Sequence, residues 1–132
     1  FIVNNYEPKK KYKVLLAVDD SPGTKKAIKY SVRIAQAFNI DVDIITISKN
    51  NEFRDSYKKA SKWAAKFLRR NSISFSSSFE VGDPVDIINK KAGTDHIVIM
   101  GSSSRNPIKT FFKGNKPLKV LKKSQSPILI VK

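Results

Sequence analysis

Val14-Leu15-Leu16-Ala17-Val18-Asp19-Asp20-Ser21-Pro22 is the stretch on which the fold turns. Five consecutive apolar residues leave no side for water. That pattern marks a strand covered on both faces, as in a parallel sheet flanked by helices. The run stops at two carboxylates. Ser21 is a good N-cap, and Pro22, with its fixed φ and missing N–H, suits a first helical position. A helix is therefore expected at once. Ala27, Ile28, Ile34, Ala35 and Phe38 fall on one of its faces, with Asn39 as its stop.

The same alternation continues along the chain. Val42-Asp43-Ile44-Ile45-Thr46-Ile47 reads as a second strand, and 48–51 as a loop. Phe53, Tyr57, Ala60, Ala64, Phe67 and Leu68 keep helical spacing, with Lys58, Lys59, Lys62, Lys66, Arg69 and Arg70 on the wet side. Ile73, Phe75, Phe79 and Val81 share one parity and Ser74, Ser76, Ser78 and Glu80 the other, the two-residue period of a half-exposed strand. Asp83 and Pro84 cap and open a third helix, in which Val85, Ile88 and Ala92 face inward. Ile97-Val98-Ile99-Met100 is again fully apolar. A loop runs to about Gly114, Leu118 and Leu121 suggest a short last helix, and Pro127-Ile128-Leu129-Ile130-Val131 reads as a final strand.

Strands alternating with helices imply an α/β domain. The expected architecture is an open five-stranded parallel sheet of order 3-2-1-4-5 with helices on both faces. Its switch point lies between strands one and four, where ligands bind beside the strands' carboxyl ends. The segments after Val18 and after Met100 would meet there. Residues 1–11 read as an N-terminal tail and 12–132 as the single domain. The chain opens on Phe1 rather than methionine, so a trimmed or partial chain is expected.

Composition narrows the function classes. The 132 residues hold no cysteine, which excludes disulfides and Cys-based zinc sites, and a single histidine, which argues against a His-built metal centre. No apolar run approaches the roughly 20 residues of a membrane span, and no signal-peptide pattern opens the chain. The expected compartment is the cytoplasm, with no membrane partner. Lys and Arg number 26 against 11 Asp and Glu, a net charge of +15. Such a field attracts anions: nucleotides, nucleic acid or acidic surfaces.

Two segments can carry ligand chemistry. Gly101-Ser102-Ser103-Ser104 follows a buried strand, where a glycine lets the backbone approach a ligand and N–H groups and hydroxyls can donate to phosphate. Gly114-Asn115 precedes the last helix, whose free N–H groups attract anions, and Arg105, Lys109, Lys113 and Lys116 add charge. Asp19 ends the first strand, where a carboxylate can accept from a ribose hydroxyl or an adenine amine, or can brace its own loop. No Ser–His–Asp order stands out, and His96, opening a strand, reads as packed or surface. No catalytic residue is assigned, and the chain is not expected to be an enzyme.

These residues together resemble a known family. The segment from Lys13 to Ser21 looks like the first strand of universal stress proteins. Gly82-Asp83-Pro84 looks like that family's entry to its third helix. Asp95 to Gly101 and Gly114 to Lys132 look like its last two strands and last helix. The resemblance implies the adenine nucleotide alpha hydrolase-like fold and a role in stress response. ATP-binding members carry Gly-x2-Gly-x9-Gly-(Ser/Thr); here the same frame reads Gly101-x2-Ser104-x9-Gly114-Asn115, with intact spacing and two altered positions. By resemblance, Ala17, Val18, Asp19 and Ile47 surround adenine and ribose. Met100, Gly101, Ser103, Ser104, Gly114, Asn115 and Lys116 line the phosphates. ATP or AMP is the implied ligand, with Mg²⁺ only alongside a nucleotide. The family also implies a homodimer through Pro127-Ile128-Leu129-Ile130-Val131, which would lie on an open sheet edge.

Two further readings stand beside this one. Ser104 and Asn115 fit a family member that has lost the nucleotide and acts as a dimeric scaffold. The lysines of the second helix, with Lys116, Lys119, Lys122 and Lys123, fit a non-specific nucleic-acid binder.

Overall fold

The computed structural model describes residues 10–101 and 126–131. The elements are β1 (Lys13–Val18), α1 (Thr24–Phe38), β2 (Val42–Ser48), α2 (Asp55–Arg70), β3 (Phe75–Val81), α3 (Pro84–Ala92), β4 (His96–Gly101) and β5 (Ile128–Val131). They form one five-stranded sheet of order β3-β2-β1-β4-β5, with every pairing parallel. The expected strand order is the observed one. The expected last helix around Leu118 and Leu121, and nearly all of the 1–11 tail, lie outside the described residues.

The apolar run of β1 does what its sequence demands. Val14, Leu16 and Val18 point to one face, packing with Ala27, Ile28, Val32 and Ala35 of α1 and with Ala64 and Leu68 of α2. Leu15 points to the other face, with Ile45, Val98 and Ile130, under Val85, Ile88 and Ala92 of α3. Each such fully buried aliphatic side chain contributes about 1.5–3 kcal/mol relative to exposure. The inward residues expected for α3 are those observed.

Helix ends follow local chemistry. Asn39 takes the left-handed conformation at φ 53° and ends α1 as expected, its N–H donating to the Ala35 carbonyl. Asp83 caps α3, its Oδ2 accepting from the Asp86 N–H at 3.1 Å, with Pro84 first in the helix. The start of α1 differs from expectation. Ser21, Pro22 and Gly23 form a turn, with the Thr24 N–H donating to the Ser21 carbonyl at 3.2 Å, and the helix begins at Thr24. The reason is Asp19, whose carboxylate takes the Ser21 N–H itself at 2.9 Å and holds the chain outside the helix.

Two other readings shift. Phe53 precedes α2 and packs edge-on against Phe79 of β3, with centroids 5.1 Å apart. The apolar parity of β3 is not its covered side along its whole length. Ile73 is buried and Phe75 half-buried, but Phe79 and Val81 are 45% and 47% exposed, beyond the cover that α2 gives the sheet's edge.

Candidate functional site

In a parallel sheet every strand delivers its carboxyl end, and the N-terminus of the following helix, to the same rim. Here β1 and β4 are neighbours, with Ala17 opposite Met100. The end of β4 therefore meets the loop that follows β1. Their contact is closer than side chains allow: a Cβ on Gly101 would lie 2.4 Å from the Gly23 carbonyl carbon, 2.6 Å from its oxygen and 2.7 Å from the Thr24 nitrogen. Gly101 is required for space, because the backbone that opens α1 rests on it.

Beside this contact lies a cleft of about 620 Å³, within the range of small-molecule sites. Ala17, Ile45, Ile47 and Met100 give it an apolar floor. Val18, Asp19 and Gly101 stand at the switch point, and Ser48, Arg54 and Tyr57 are on the β2–α2 side. The expected residues Ala17, Val18, Asp19, Ile47, Met100 and Gly101 thus line one cleft. Ser103, Ser104, Gly114, Asn115 and Lys116 lie outside the described residues.

Asp19 both braces its loop and faces the cleft. Its Oδ1 accepts from the Thr24 hydroxyl at 2.6 Å and from the Ser21 N–H at 2.9 Å, and the Ser21 and Thr24 hydroxyls are 3.2 Å apart. Among the described residues no hydrogen bond reaches Oδ2. The brace fixes the carboxylate's direction and leaves acceptor capacity on that second oxygen.

Sequence reasoning missed the wall formed by the start of α2. Asp20 Oδ2 accepts from the Ser56 hydroxyl at 2.9 Å, tying the β1–α1 loop to the first turn of α2 across 36 residues. Tyr57, expected only as helix core, is half-buried and lines the cleft. Burial, followed by the negative charges of Asp20 and Asp19, raises its phenol above the ordinary value of 10.0, against the opposing effect of Arg54. Its hydroxyl is a proton donor at neutral pH. The β2–α2 loop holds itself in shape: the Ser48 hydroxyl donates to the Glu52 carbonyl at 3.0 Å, and Asn50 Oδ1 accepts from the Glu52 N–H at 3.0 Å.

His96 lies at the opposite rim, at the amino end of β4, and is buried. Its Nδ1 is 3.0 Å from the Ala92 carbonyl and 2.9 Å from Asp95 Oδ1, and its Nε2 is 2.9 Å from Asp43 Oδ2. Asp43 Oδ1 accepts from the Ser76 hydroxyl at 2.7 Å. This serine meets the carboxylate and not the imidazole, so no base activates it. The cluster pins three strands and the end of α3. Burial works to raise the Asp43 carboxyl, but hydrogen bonds from His96 and Ser76 and the charges of His96 and Lys13 outweigh it and hold it below 3.8. Among the described residues no group of three or more metal-ligating side chains forms a cation site. No described helix is long and apolar enough to cross a membrane.

The fold and its rim cleft define a class: parallel α/β domains with a ligand crevice at the strand-order switch. The universal stress protein family model matches residues 12–132, and the chain belongs to that family. No curated protein sequence matches it. Among solved structures it is similar to the universal stress protein from Archaeoglobus fulgidus in complex with dAMP, at 18% identity and TM-score 0.71, covering 92% of this chain and 98% of that one. It is also similar to a universal stress protein in complex with cAMP, at 21% identity and TM-score 0.73 with the same two coverages. A universal stress protein family member from Arabidopsis thaliana with AMP bound matches at 14% identity and TM-score 0.63, over 92% of this chain and 91% of that one. At these identities the likeness speaks for the shared adenine nucleotide alpha hydrolase-like fold.

Proposed function

We propose that this chain is a regulatory module of the stress response that binds an adenine nucleotide, ATP or AMP, in the switch-point cleft. One observation carries the reading: Asp19, whose Oδ2 has no hydrogen-bond partner among the described residues, and Gly101, on which the start of α1 rests, border the same apolar-floored cleft. The apolar floor suits a purine face, and Asp19 Oδ2 suits a ribose hydroxyl or an exocyclic amine. In this reading Ala17, Val18, Asp19 and Ile47 hold adenine and ribose. Met100, Gly101, Ser103, Ser104, Gly114, Asn115 and Lys116 receive the phosphates, with Mg²⁺ entering only on the nucleotide. Support comes from family relatives solved with dAMP, cAMP and AMP.

The chain's own residues set the specificity. The Thr24–Asp19 bond holds the carboxylate rigid, and the Tyr57 hydroxyl adds a donor on the facing wall. The net charge of +15 draws the anion in. The module acts as a homodimer through Pro127 and β5, whose outer edge has no neighbouring strand among the described residues. Isothermal titration with ATP and with AMP tests the proposal. Saturable heat that is lost in Asp19→Ala supports it, and no heat from folded protein at millimolar ligand refutes it. Ser104 and Asn115 favour a second reading, a scaffold that has lost the nucleotide. In that case the parent is silent and the Ser104→Gly/Asn115→Ser pair creates binding.

A further inference from the structure

A second feature of this molecule lies away from the cleft, at the far edge of the sheet. Among the described residues β3 is an edge strand, seven residues long and paired in unbroken register with β2 from Phe75 to Val81. The bonds at its two ends fix which of its backbone groups are used. The Val42 N–H donates to the Ser74 carbonyl, and the Gly82 N–H donates to the Ser48 carbonyl. In a parallel ladder alternate residues bond to one neighbour, so the even-numbered positions between these ends turn to β2. Phe75, Ser77, Phe79 and Val81 therefore turn their N–H and C=O groups outward, away from the sheet. Proteins commonly blunt such edges with lysine, proline or a bulge. β3 has no lysine or proline, and its register has no bulge.

Of these four, Ser77 and Phe79 border a groove of about 420 Å³ beside α2. Its apolar end is the Phe53–Phe79 pair, and Phe79 remains 45% exposed. Ser61, Ala65 and Ser77 form its floor, and Lys58 and Lys62, one helical turn apart, form its wall. Neither lysine has an ion pair among the described residues. Glu80, the one acidic residue of β3, lies on the opposite face and pairs with Lys91 at 3.3 Å. Further down the strand Arg69 sits over the Phe75 ring, 5.5 Å from its centroid. Among the described residues an unused backbone ladder, an open aromatic pair and three cations without an ion pair thus lie side by side.

We propose that the β3 edge is a docking site for an extended acidic segment of a partner protein, which adds to the sheet as a sixth strand. Its backbone would pair with the outward groups of Phe75, Ser77, Phe79 and Val81. On its α2-facing side an aliphatic side chain would sit against Phe79, and carboxylates would meet Lys58, Lys62 and Arg69. Charge complementarity selects this occupant over a second copy of the chain. A second copy would bring the same cationic face of α2 against itself in a protein of net charge +15. The mode is strand addition, in which main-chain bonds give affinity and alternate side chains give choice.

The test uses the full chain and a fluorescein-labelled peptide with threonine at every odd position and valine and glutamate taking turns at the even ones. Fluorescence anisotropy should show saturable binding that weakens with salt, and lysine in place of glutamate in the peptide should abolish it. Ser77→Pro removes an outward N–H without touching the β2 ladder and should weaken binding at least tenfold. Lys58→Glu/Lys62→Glu should do the same. Hydrogen exchange on the parent should show the Ser77, Phe79 and Val81 amides slowed by the peptide, and this readout decides the matter if Ser77→Pro fails to fold. Binding by Ser77→Pro within twofold of the parent, or unchanged exchange at those amides under saturating peptide, would overturn the proposal. So would tighter binding of a single-stranded oligothymidylate at the same lysines, or a dimer of the chain formed through β3.

Discussion

Gly101→Ala tests the contact that builds the cleft. The added methyl would sit 2.4–2.7 Å from three backbone atoms of Gly23 and Thr24. Ordinary carbon contacts need about 3.5 Å or more, so the end of β4 and the start of α1 must part by roughly 1 Å. The obstructing atoms are main chain and cannot rotate away. Overpacking of this kind costs about 1–3 kcal/mol. Moving Thr24 also strains its 2.6 Å bond to Asp19 and the 3.0 Å bond from the Ala27 N–H to the Gly23 carbonyl, the first of α1. Losing one such bond adds about 1 kcal/mol. A total of about 2–4 kcal/mol corresponds to a fall in melting temperature of about 10 °C for a domain of this size. Circular dichroism melts check it, with Gly93→Ala as comparison: there the new Cβ meets only Asp95 Oδ1, at 3.7 Å, and the cost is that of backbone strain alone at φ 52°, ψ −125°, about 1–3 kcal/mol, with nucleotide affinity unchanged. Calorimetry on the folded fraction should show nucleotide affinity reduced at least tenfold. A Gly101→Ala protein that melts within about 2 °C of the parent and binds equally well would refute the reasoning.

Further outcomes follow from named contacts. Asp43 is held below its unfolded value of 3.8, so it contributes stability above that pH and loses it as pH falls through the folded value. Urea unfolding of the parent should therefore weaken in that acid window, and Asp43→Asn should flatten that part of the profile. His96→Ala removes the partner of Asp43, Asp95 and the Ala92 carbonyl at once and should cost about 2–3 kcal/mol in urea unfolding at pH 7. Tyr57→Phe should remove from the ultraviolet alkaline titration a component that ionises above pH 10, with the melting temperature little changed. Leu16→Ala, fully buried between β1's neighbours and α1, should cost about 2–5 kcal/mol.

The sheet was readable because two-sided burial leaves short, wholly apolar runs bounded by turn residues. The apolar runs of β1 and β4 admit no wet face, and Asp83-Pro84 names the start of α3 through local chemistry alone. The start of α1 was less readable. Ser21 and Pro22 are good capping residues, but Asp19 competes for the Ser21 N–H and wins with a bond two residues long. On β3 the alternation of Phe75, Phe79 and Val81 with serines gave the strand, and burial did not follow. How far α2 reaches over the edge is set by tertiary packing, and periodicity carries no information on it. The same holds for the cleft. Asp19 and Gly101 were identifiable as strand-end residues, whereas Tyr57 and Arg54 enter the wall through a contact between Asp20 and Ser56, 36 residues apart.

The most direct measurement is a two-dimensional ¹H–¹⁵N titration of the full chain with AMP. If the switch-point cleft is the nucleotide site, the amides of Val18, Asp19, Ile47 and Gly101 move together and saturate at one concentration, while those of β3 stay still. Resonances at those four positions that do not move at millimolar AMP, or shifts confined to the lysines of α2, would contradict it.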